Sequence, residues 1–535
     1  MRRYIVILIV IMRCVFWIAH VDGTEMYVQG EYRNDAIDYE NAEYDFYRIK
    51  TGARFGGASS INTAWMYLER TGSRTHTWNC VLGDISPHLS LIIGNFHASF
   101  GSGLIVGKRN PFNPDIFTAA SPEYLSSTFR PSCTGNPAGS FSGIALSAGY
   151  GLWNTKLSLD VFYSDATRFI SENDYNRRET GSSPTTIGGS VDRTYTHSEP
   201  VVIRTTGAML TVFALDHIAV QLSSVYLRMH TPGGNNTLAW DAENIGCHRV
   251  GTSAAAGSAI LVRYSDNVLS MFCEYALTAR TVERDESKQR AIYGDGVLCG
   301  ISLDSPFFTL SATGRNTNVK YYAPCSAAPG ASGPAQGCFF DITYRPAAAC
   351  TLGSLLSIEK KLLAAHGADE LPVTRREQAY AAYRGKRIRA LRCFVKHYEK
   401  TEGTKLSRLQ ISHDAELVLT DRVRMSWSLL YQRANPAPYS AMAGTGVCLL
   451  PTRRWRFDCE YRHALIGYGN NIYAVISPME QSSIPGTNIQ KTTDIVIANA
   501  SMRYESVQAS LRYMRQYAGG CTMRRRIEMM ASGTF

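Results

Sequence analysis

Charged side chains recur at every second position in several stretches of the C-terminal third. These charged positions are Arg424, Arg456, Asp458, Glu460, Arg462, Arg503 and Arg512. Between the charges of 455–462, the alternate positions hold Trp, Phe, Cys and Tyr. Because successive residues of a strand point to opposite faces, such a pattern predicts one charged and one apolar face.

Two interpretations of the charged face remain open. If it surrounds water, rings of fixed charge select ions by sign, and an arginine-rich wall favours anionic solutes. If the interior is closed or plugged, the same residues form ion pairs with one another. The seven residues are therefore our candidates for lining a lumen.

Catalytic and cofactor motifs are weak in this chain. Residues 101–108 superficially resemble a phosphate-binding loop, but Ser102 replaces its first glycine and Arg109 stands where a metal-binding Ser or Thr is needed. The histidines are scattered, without a GxSxG or an HExxH motif, and the adjacent His413 and Asp414 would point to opposite faces of a strand. We therefore predict no enzyme, no catalytic residue, no cofactor and no metal site.

Of the 13 cysteines, all but Cys14 lie beyond the N-terminal leader. They form no CxxC pair and show no ligand spacing for zinc. Cys325 and Cys338 lie in one Gly/Ala/Pro-rich loop and are the candidate pair for a disulfide in an oxidising compartment. Cys273, Cys299 and Cys459 fall on apolar positions, where a thiol behaves as a small hydrophobe.

Residues 143–164 form the clearest hairpin. Apolar residues occupy alternate positions from Ile144 to Leu152 and again from Leu157 to Tyr163, on either side of a short turn. Two strands of about ten residues fit either a soluble sandwich or a wall that crosses a bilayer.

Similar hairpins recur along the chain, and their tight turns alternate with long polar segments at roughly 165–198, 230–253, 314–336, 361–384 and 466–490. This sorting of connections by length favours a membrane barrel. The fold class that we predict is all-β: an antiparallel transmembrane β-barrel with short periplasmic turns, long extracellular loops and about 16 to 24 strands, about 20 being the best single value. The pattern does not resolve 386–421.

The two ends of the chain support this interpretation. A positive start, an apolar core and a small-residue site predict a signal peptide over 1–23. We expect 24–43 to be a flexible periplasmic segment and 44–535 to be the barrel. Phe535 closes an amphipathic last strand and resembles the signal by which outer-membrane barrels are recognised for insertion. The expected partners are therefore outer-membrane lipid and the barrel assembly machinery, in the outer membrane of a diderm bacterium.

The composition agrees with a lipid-facing wall. Charged residues make up 19% of the chain, below the roughly 25% of ordinary soluble domains. The 30 tyrosines suit the headgroup region of a membrane. The net charge of +10 comes without a basic block, so we expect no nucleic-acid partner.

A family resemblance rests on 93–104, on 126–130 and on 143–164, about one eighth of the chain. The order of these segments resembles a poorly characterised group of bacterial outer-membrane β-barrel proteins, some of which carry a helix-hairpin-helix module in front. This chain departs from the group by inserting 131–142, and it has no such module. The resemblance implies a barrel and no activity. The short run 136–139 (Asn-Pro-Ala-Gly) also resembles a segment of long-chain fatty-acid transporters.

The functional prediction is a porin-like outer-membrane channel or transport protein for small hydrophilic or amphiphilic solutes, including anionic ones. The first alternative is a surface-exposed structural or interaction protein that displays its loops. The second alternative is a long-chain fatty-acid or lipid transporter, which would hold an apolar pocket inside the barrel.

Overall fold

The computed structural model describes residues 24–534 except 38–41, 56–58, 69–72, 87–88, 108–127, 134–139, 153–154, 172–197, 215–216, 231–237, 241–246, 250–252, 267, 286–287, 322–334, 363–370, 403, 436–438, 453, 467–471, 476–485, 490–491, 505 and 519–520. The first strands are β1 (Thr24–Ile37), β2 (Ala42–Phe55), β3 (Ser59–Leu68), β4 (Ser73–Ser86), β5 (Leu89–Ala98), β6 (Phe129–Pro131), β7 (Phe141–Leu152), β8 (Thr155–Ser171), β9 (Ser198–Ala214), β10 (Ile218–His230), β11 (Leu238–Trp240), β12 (Cys247–Arg249), β13 (Ser253–Ser265) and β14 (Leu269–Asp285).

The second half of the chain continues with β15 (Lys288–Asp304), β16 (Phe308–Thr317), β17 (Ala335–Ala347), β18 (Cys350–Lys361), β19 (Val373–Tyr383), β20 (Ile388–Glu402), β21 (Thr404–Thr420), β22 (Val423–Asn435), β23 (Tyr439–Leu449), β24 (Trp455–Leu465), β25 (Ile472–Val475), β26 (Gly486–Ile489), β27 (Thr493–Tyr504), β28 (Val507–Ala518) and β29 (Cys521–Thr534). Among the residues described, no helix is long and apolar enough to cross a membrane.

Twenty-four of these strands form one closed antiparallel barrel. Each wall strand pairs with the next, and β29 returns to pair with β1, from Tyr27↔Thr534 to Ile37↔Arg524. The strands outside the wall are short: β6 pairs with β5, β11 with β12, and β25 with β26. The predicted fold class is confirmed, with a strand number at the top of the expected range and above the single value of about 20.

The two faces of the wall differ as strand alternation requires. On β7 and β8, Ile144, Tyr150 and Leu159 are exposed on the outside, whereas Ala145 and Phe162 on the other face are buried. Large apolar side chains recur on this outer face around the whole wall. Such an apolar outer surface is stable only against lipid, so the outer face is the membrane-facing one.

The connections differ between the two ends of the barrel. One end carries short turns, such as the one between β13 and β14, and Thr24 pairs with Phe55 at this end too. In that turn, Asp266 accepts backbone N–H bonds from Val268 at 2.8 Å and Leu269 at 2.6 Å. The bonds from Leu269 and Val268 hold the pKa of this carboxyl below its usual range. The predicted tight turns are present at this end, whereas at the other end long connections, as between β8 and β9, occur beside short ones, as between β14 and β15 and between β20 and β21.

Three segments differ from expectation. The expected periplasmic lead-in, 24–43, contains all of β1 and the start of β2, so it is part of the wall. The expected loop 361–384 contains β19. Residues 386–421, whose sequence pattern allowed no assignment, form β20 and β21. These strands carry polar side chains on both faces, as with Arg375 and Arg376 on β19, and this hides their alternation. The predicted signal peptide (1–23) and Phe535 lie outside the described residues.

Candidate functional site in the barrel interior

The interior of the barrel holds a piece of the chain itself. Strand β5 ends at Ala98, and residues 99–107 fold into the lumen. We call residues 99–107 the lumenal segment. Phe100 donates its N–H to the Val106 carbonyl at 3.0 Å, and Gly101 and Gly103 adopt φ values of 57° and 89°. Only glycine takes such angles readily, so these two residues end the strand and make the turn.

Aromatic side chains fix the lumenal segment to the wall. Phe100 lies with its ring centroid 5.6 Å from Phe162 of β8 and 6.2 Å from Phe129 of β6. Phe96 of β5 meets the same two rings at 5.9 Å each. Leu104 of the segment is fully buried in this cluster. Tilted and edge-to-face ring pairs at these distances are favourable beyond the area they bury.

Small residues of the wall make room for the segment. A Cβ at Gly207 would lie 2.9 Å from the Phe100 ring, and one at Gly257 would lie 2.9 Å from Ile105. Ala145 of β7 belongs to the same cluster. Among the small inward residues of the 143–164 hairpin, Ala145 therefore faces a packed neighbour, whereas a Cβ at Gly151 would meet nothing within 4 Å.

A buried carboxylate holds the polar tip of the segment. Glu274 of β14 is completely buried, and its Oε2 accepts the backbone N–H of Ser102 at 2.7 Å. Tyr321, which follows β16, donates its hydroxyl to the Leu104 carbonyl at 2.8 Å. A third anchor lies close by, where Thr128 donates its hydroxyl to Asp160 at 3.1 Å. The backbone groups of the segment are buried away from water, and these side chains supply the hydrogen bonds that water would otherwise make.

The inner face of β21 to β24, β27 and β28 is mixed, with a buried apolar cluster that includes Met442, Ile497 and Met514 beside charged side chains. The inner faces of β21 to β24, β27 and β28 surround a cavity of ≈ 250 Å³, which we call the polar recess. Its charged lining residues are Glu416, Arg424, Arg456, Asp458, Glu460 and Arg512. Small inner residues of β23, Gly446 and Cys448, lie at its wall and leave the space between the longer charged side chains.

The structure brings most of the predicted lumen candidates together. Arg424, Arg456, Asp458, Glu460 and Arg512 line the polar recess. Arg462 is buried on the same face of β24, and Arg503 is exposed at the short-turn end of β27. All seven lie on the face opposite the apolar one.

The arginines of this wall are paired with carboxylates. The ion pairs are Arg424–Glu416 at 3.5 Å, Arg456–Asp458 at 2.9 Å, Arg462–Glu460 at 2.6 Å and Arg512–Glu528 at 3.2 Å. Of the two interpretations of the charged face, ion pairing describes these contacts, which join residues of one strand or of neighbouring strands. The recess nevertheless leaves several of these charges partly accessible, with side-chain exposures of 48% for Arg456 and 34% for Glu416.

Three carboxylates of the interior were not singled out from the sequence. Glu274 and Glu528 each alternate with apolar neighbours, a signal as clear as that of Asp458. Glu416 lies in the region whose pattern was unresolved.

The cysteines give a mixed outcome. Cys338 lies on the outer face of β17 and Cys325 lies outside the described residues, so their disulfide stays a prediction. Cys273 and Cys299 face each other across β14 and β15 and are joined as a disulfide on the lipid-facing side. Their apolar positions were predicted, and their pairing was not.

Comparisons with known proteins leave the family open. No protein-family model and no curated protein matches the chain. Among solved structures, the ferric enterobactin receptor PfeA of Pseudomonas aeruginosa is similar with a TM-score of 0.48 and 7% identity, over 96% of this chain and 80% of that one. The siderophore receptor PirA of the same organism gives 0.45 and 8%, over 95% and 80%. The P pilus usher PapC translocation pore gives 0.41 and 9%, over 96% and 99%.

These values assign no family, and the two resemblances seen in the sequence stay predictions. The location rests on the wall itself. A closed antiparallel barrel with a largely apolar outer face and short turns at one end is the architecture of outer-membrane proteins. The chain is an outer-membrane β-barrel protein of a diderm bacterium.

Proposed function

We propose that this barrel is a transport protein that passes small hydrophilic or amphiphilic solutes through the side of its interior that holds the polar recess. The polar recess is the observation that carries the proposal. It places partly accessible charges of both signs around a cavity on the inner face of β21 to β28. Charged side chains that line a lumen set which solutes pass.

The lumenal segment determines which side of the interior a solute can use. The apolar half of the interior is filled by the chain's own side chains, including Phe100 and Leu104. The space left for a solute therefore lies at the polar recess. A lipid transporter needs an apolar cavity, whereas this apolar cluster is packed against the glycines of the wall.

Single-channel recording of the refolded chain in planar bilayers tests the proposal. We expect discrete conductance steps in KCl from protein that runs as a folded, heat-modifiable barrel on gels. A folded barrel without conductance would overturn the passage and would favour a protein that displays its loops. Since arginines and carboxylates of the wall are paired, we expect only weak selectivity between K⁺ and Cl⁻.

A further inference from the structure

The polar recess contains equal numbers of opposite charges. Its charged lining residues are three arginines and three carboxylates, Arg424, Arg456, Arg512, Glu416, Asp458 and Glu460. A net anion is attracted by one set and repelled by the other at similar range, and the same holds for a net cation. A wall of this kind favours a solute that carries both charges.

The charges alternate around the wall rather than lying in separate patches. The strand register aligns Arg424 with Cys448, Cys448 with Asp458, Asp458 with Asn499, and Asn499 with Arg512. Neighbouring strands lie about 4.8 Å apart, so each arginine of this row stands about 10 Å from the Asp458 strand. This is a backbone spacing, and the side chains that extend from it bring the charges closer together, as the roughly 7 Å length of an extended dipeptide requires.

Hydrogen-bonding capacity is left over at the recess. Arg456 contacts Asp458 through Nε, at 3.0 Å to Oδ1 and 2.9 Å to Oδ2, and its two Nη groups have no hydrogen-bond partner in the part of the chain that the structure describes. Glu416 is contacted through Oε1 by Arg424 and Arg389. The wall also holds two buried atoms without a partner among the described residues, Asn499 Oδ1 and Ser510 Oγ.

These unused donors and acceptors give the recess one end that suits a carboxylate and another that suits an ammonium group. The Nη groups of Arg456 are donors placed for a carboxylate, in the planar geometry that arginine offers. Glu416, whose side chain is 34% exposed, is an acceptor suited to an ammonium group. The cavity of ≈ 250 Å³ is below the roughly 300–1,000 Å³ of pockets for drug-sized ligands, so its occupant is small.

We propose that the polar recess is a binding site for small zwitterions of the amino-acid and dipeptide class. Their carboxylate contacts the Arg456 Nη groups, and their ammonium group contacts Glu416. This names the solute class of the passage and rests on the proposed transport function.

Equilibrium dialysis with the refolded full-length chain and labelled alanyl-alanine tests the site. N-acetylalanine supplies the matched anion and alaninamide the matched cation. We expect alanyl-alanine to bind and the other two to bind at least about tenfold more weakly, since each lacks one charge-assisted hydrogen bond. Equal or tighter binding of either monovalent solute, or no binding of any, would overturn the proposal.

Two substitutions separate the ends of the site. Arg456→Gln should weaken alanyl-alanine binding about tenfold or more while leaving alaninamide binding unreduced, and Glu416→Gln should do the same with N-acetylalanine unreduced. Arg408→Gln is the matched control, because Arg408 lies on the inner face of β21 away from the recess. A loss of all binding in Arg408→Gln, or no change in Glu416→Gln, would contradict the assignment. Conductance in KCl is measured separately, so a conducting barrel that binds no zwitterion refutes this site while the passage stands.

Discussion

Replacing Phe100 by alanine should undock the lumenal segment without opening the wall. The Phe100 ring is fully buried between Phe129 and Phe162, and the neighbouring wall position is Gly207. Gly207 has no side chain that could move into the cavity left by the Phe100 ring. The cavity left by the substitution would therefore stay largely unfilled.

The magnitude follows from the size of the lost side chain. A buried Phe→Ala change costs about 3–5 kcal/mol. Each 1.4 kcal/mol is a factor of ten, so the ratio of docked to undocked segment should fall by about two to three and a half orders of magnitude. Wall pairing does not use residues 99–107, so this cost applies to docking and spares the barrel.

Hydrogen exchange measured by mass spectrometry on the folded protein gives this ratio directly. Peptides covering 99–107 should lose protection by that factor in Phe100→Ala, while peptides from β22 and β24 keep theirs. Single-channel conductance should rise or become noisier as the segment leaves the lumen. The matched control is Phe213→Ala, since Phe213 lies near the short-turn end of β9 and is 41% exposed. Unchanged protection of 99–107 in a folded Phe100→Ala barrel would refute the packing argument.

Three further outcomes are expected. Arg512→Leu should destabilise the barrel in urea unfolding, by less than the about 3–5 kcal/mol of a fully unpaired buried charge, because the buried Glu528 loses its partner at 3.2 Å and keeps Arg526 at 3.9 Å; equal stability of the variant would contradict this. Gly94→Ala should lower folding yield, since φ is 100° and the new Cβ would lie 2.3 Å from the Trp78 carbonyl oxygen; a wild-type yield would count against that geometry. Because the pKa of Asp266 is lowered in the fold, its stabilising effect is present above the unfolded carboxyl pKa and lost as pH falls through the folded one, so Asp266→Asn should flatten the acid limb of a stability–pH curve, and an unaltered curve would refute this.

The strands that alternation predicts well are those whose outer face meets lipid along their whole length. On β24, the outer positions hold Trp455, Phe457 and Tyr461, and each inner neighbour is charged. The contrast between faces is therefore visible from the sequence alone. Strands such as β19 carry an outer ion pair, Arg375–Glu377, at the end away from the short turns. There the contrast vanishes, and the strand number was underestimated for that reason.

The lumenal segment could not be predicted because its glycines have two uses. In a wall strand, Gly101 and Gly103 would allow close packing of neighbours, and in a turn they supply positive φ. The choice between these uses depends on Glu274 and Phe162, which lie far along the chain. In the same way, alternation placed Arg424 on the inner face, but its partner Glu416 comes from a strand that the pattern did not reveal.

The pairing of the first wall strand with the last restricts how a barrel of this kind can change size. Eleven residue pairs join β1 to β29 in antiparallel order. Closing a ring of about 500 residues costs only about 5–6 kcal/mol of chain entropy, which a seam of this length readily offsets. Removal of one strand would bring the two terminal strands together in parallel and break the register of that seam. Removal or duplication of a whole hairpin would preserve it. Relatives of this wall should therefore differ in circumference by steps of two strands, with the seam between the terminal strands retained.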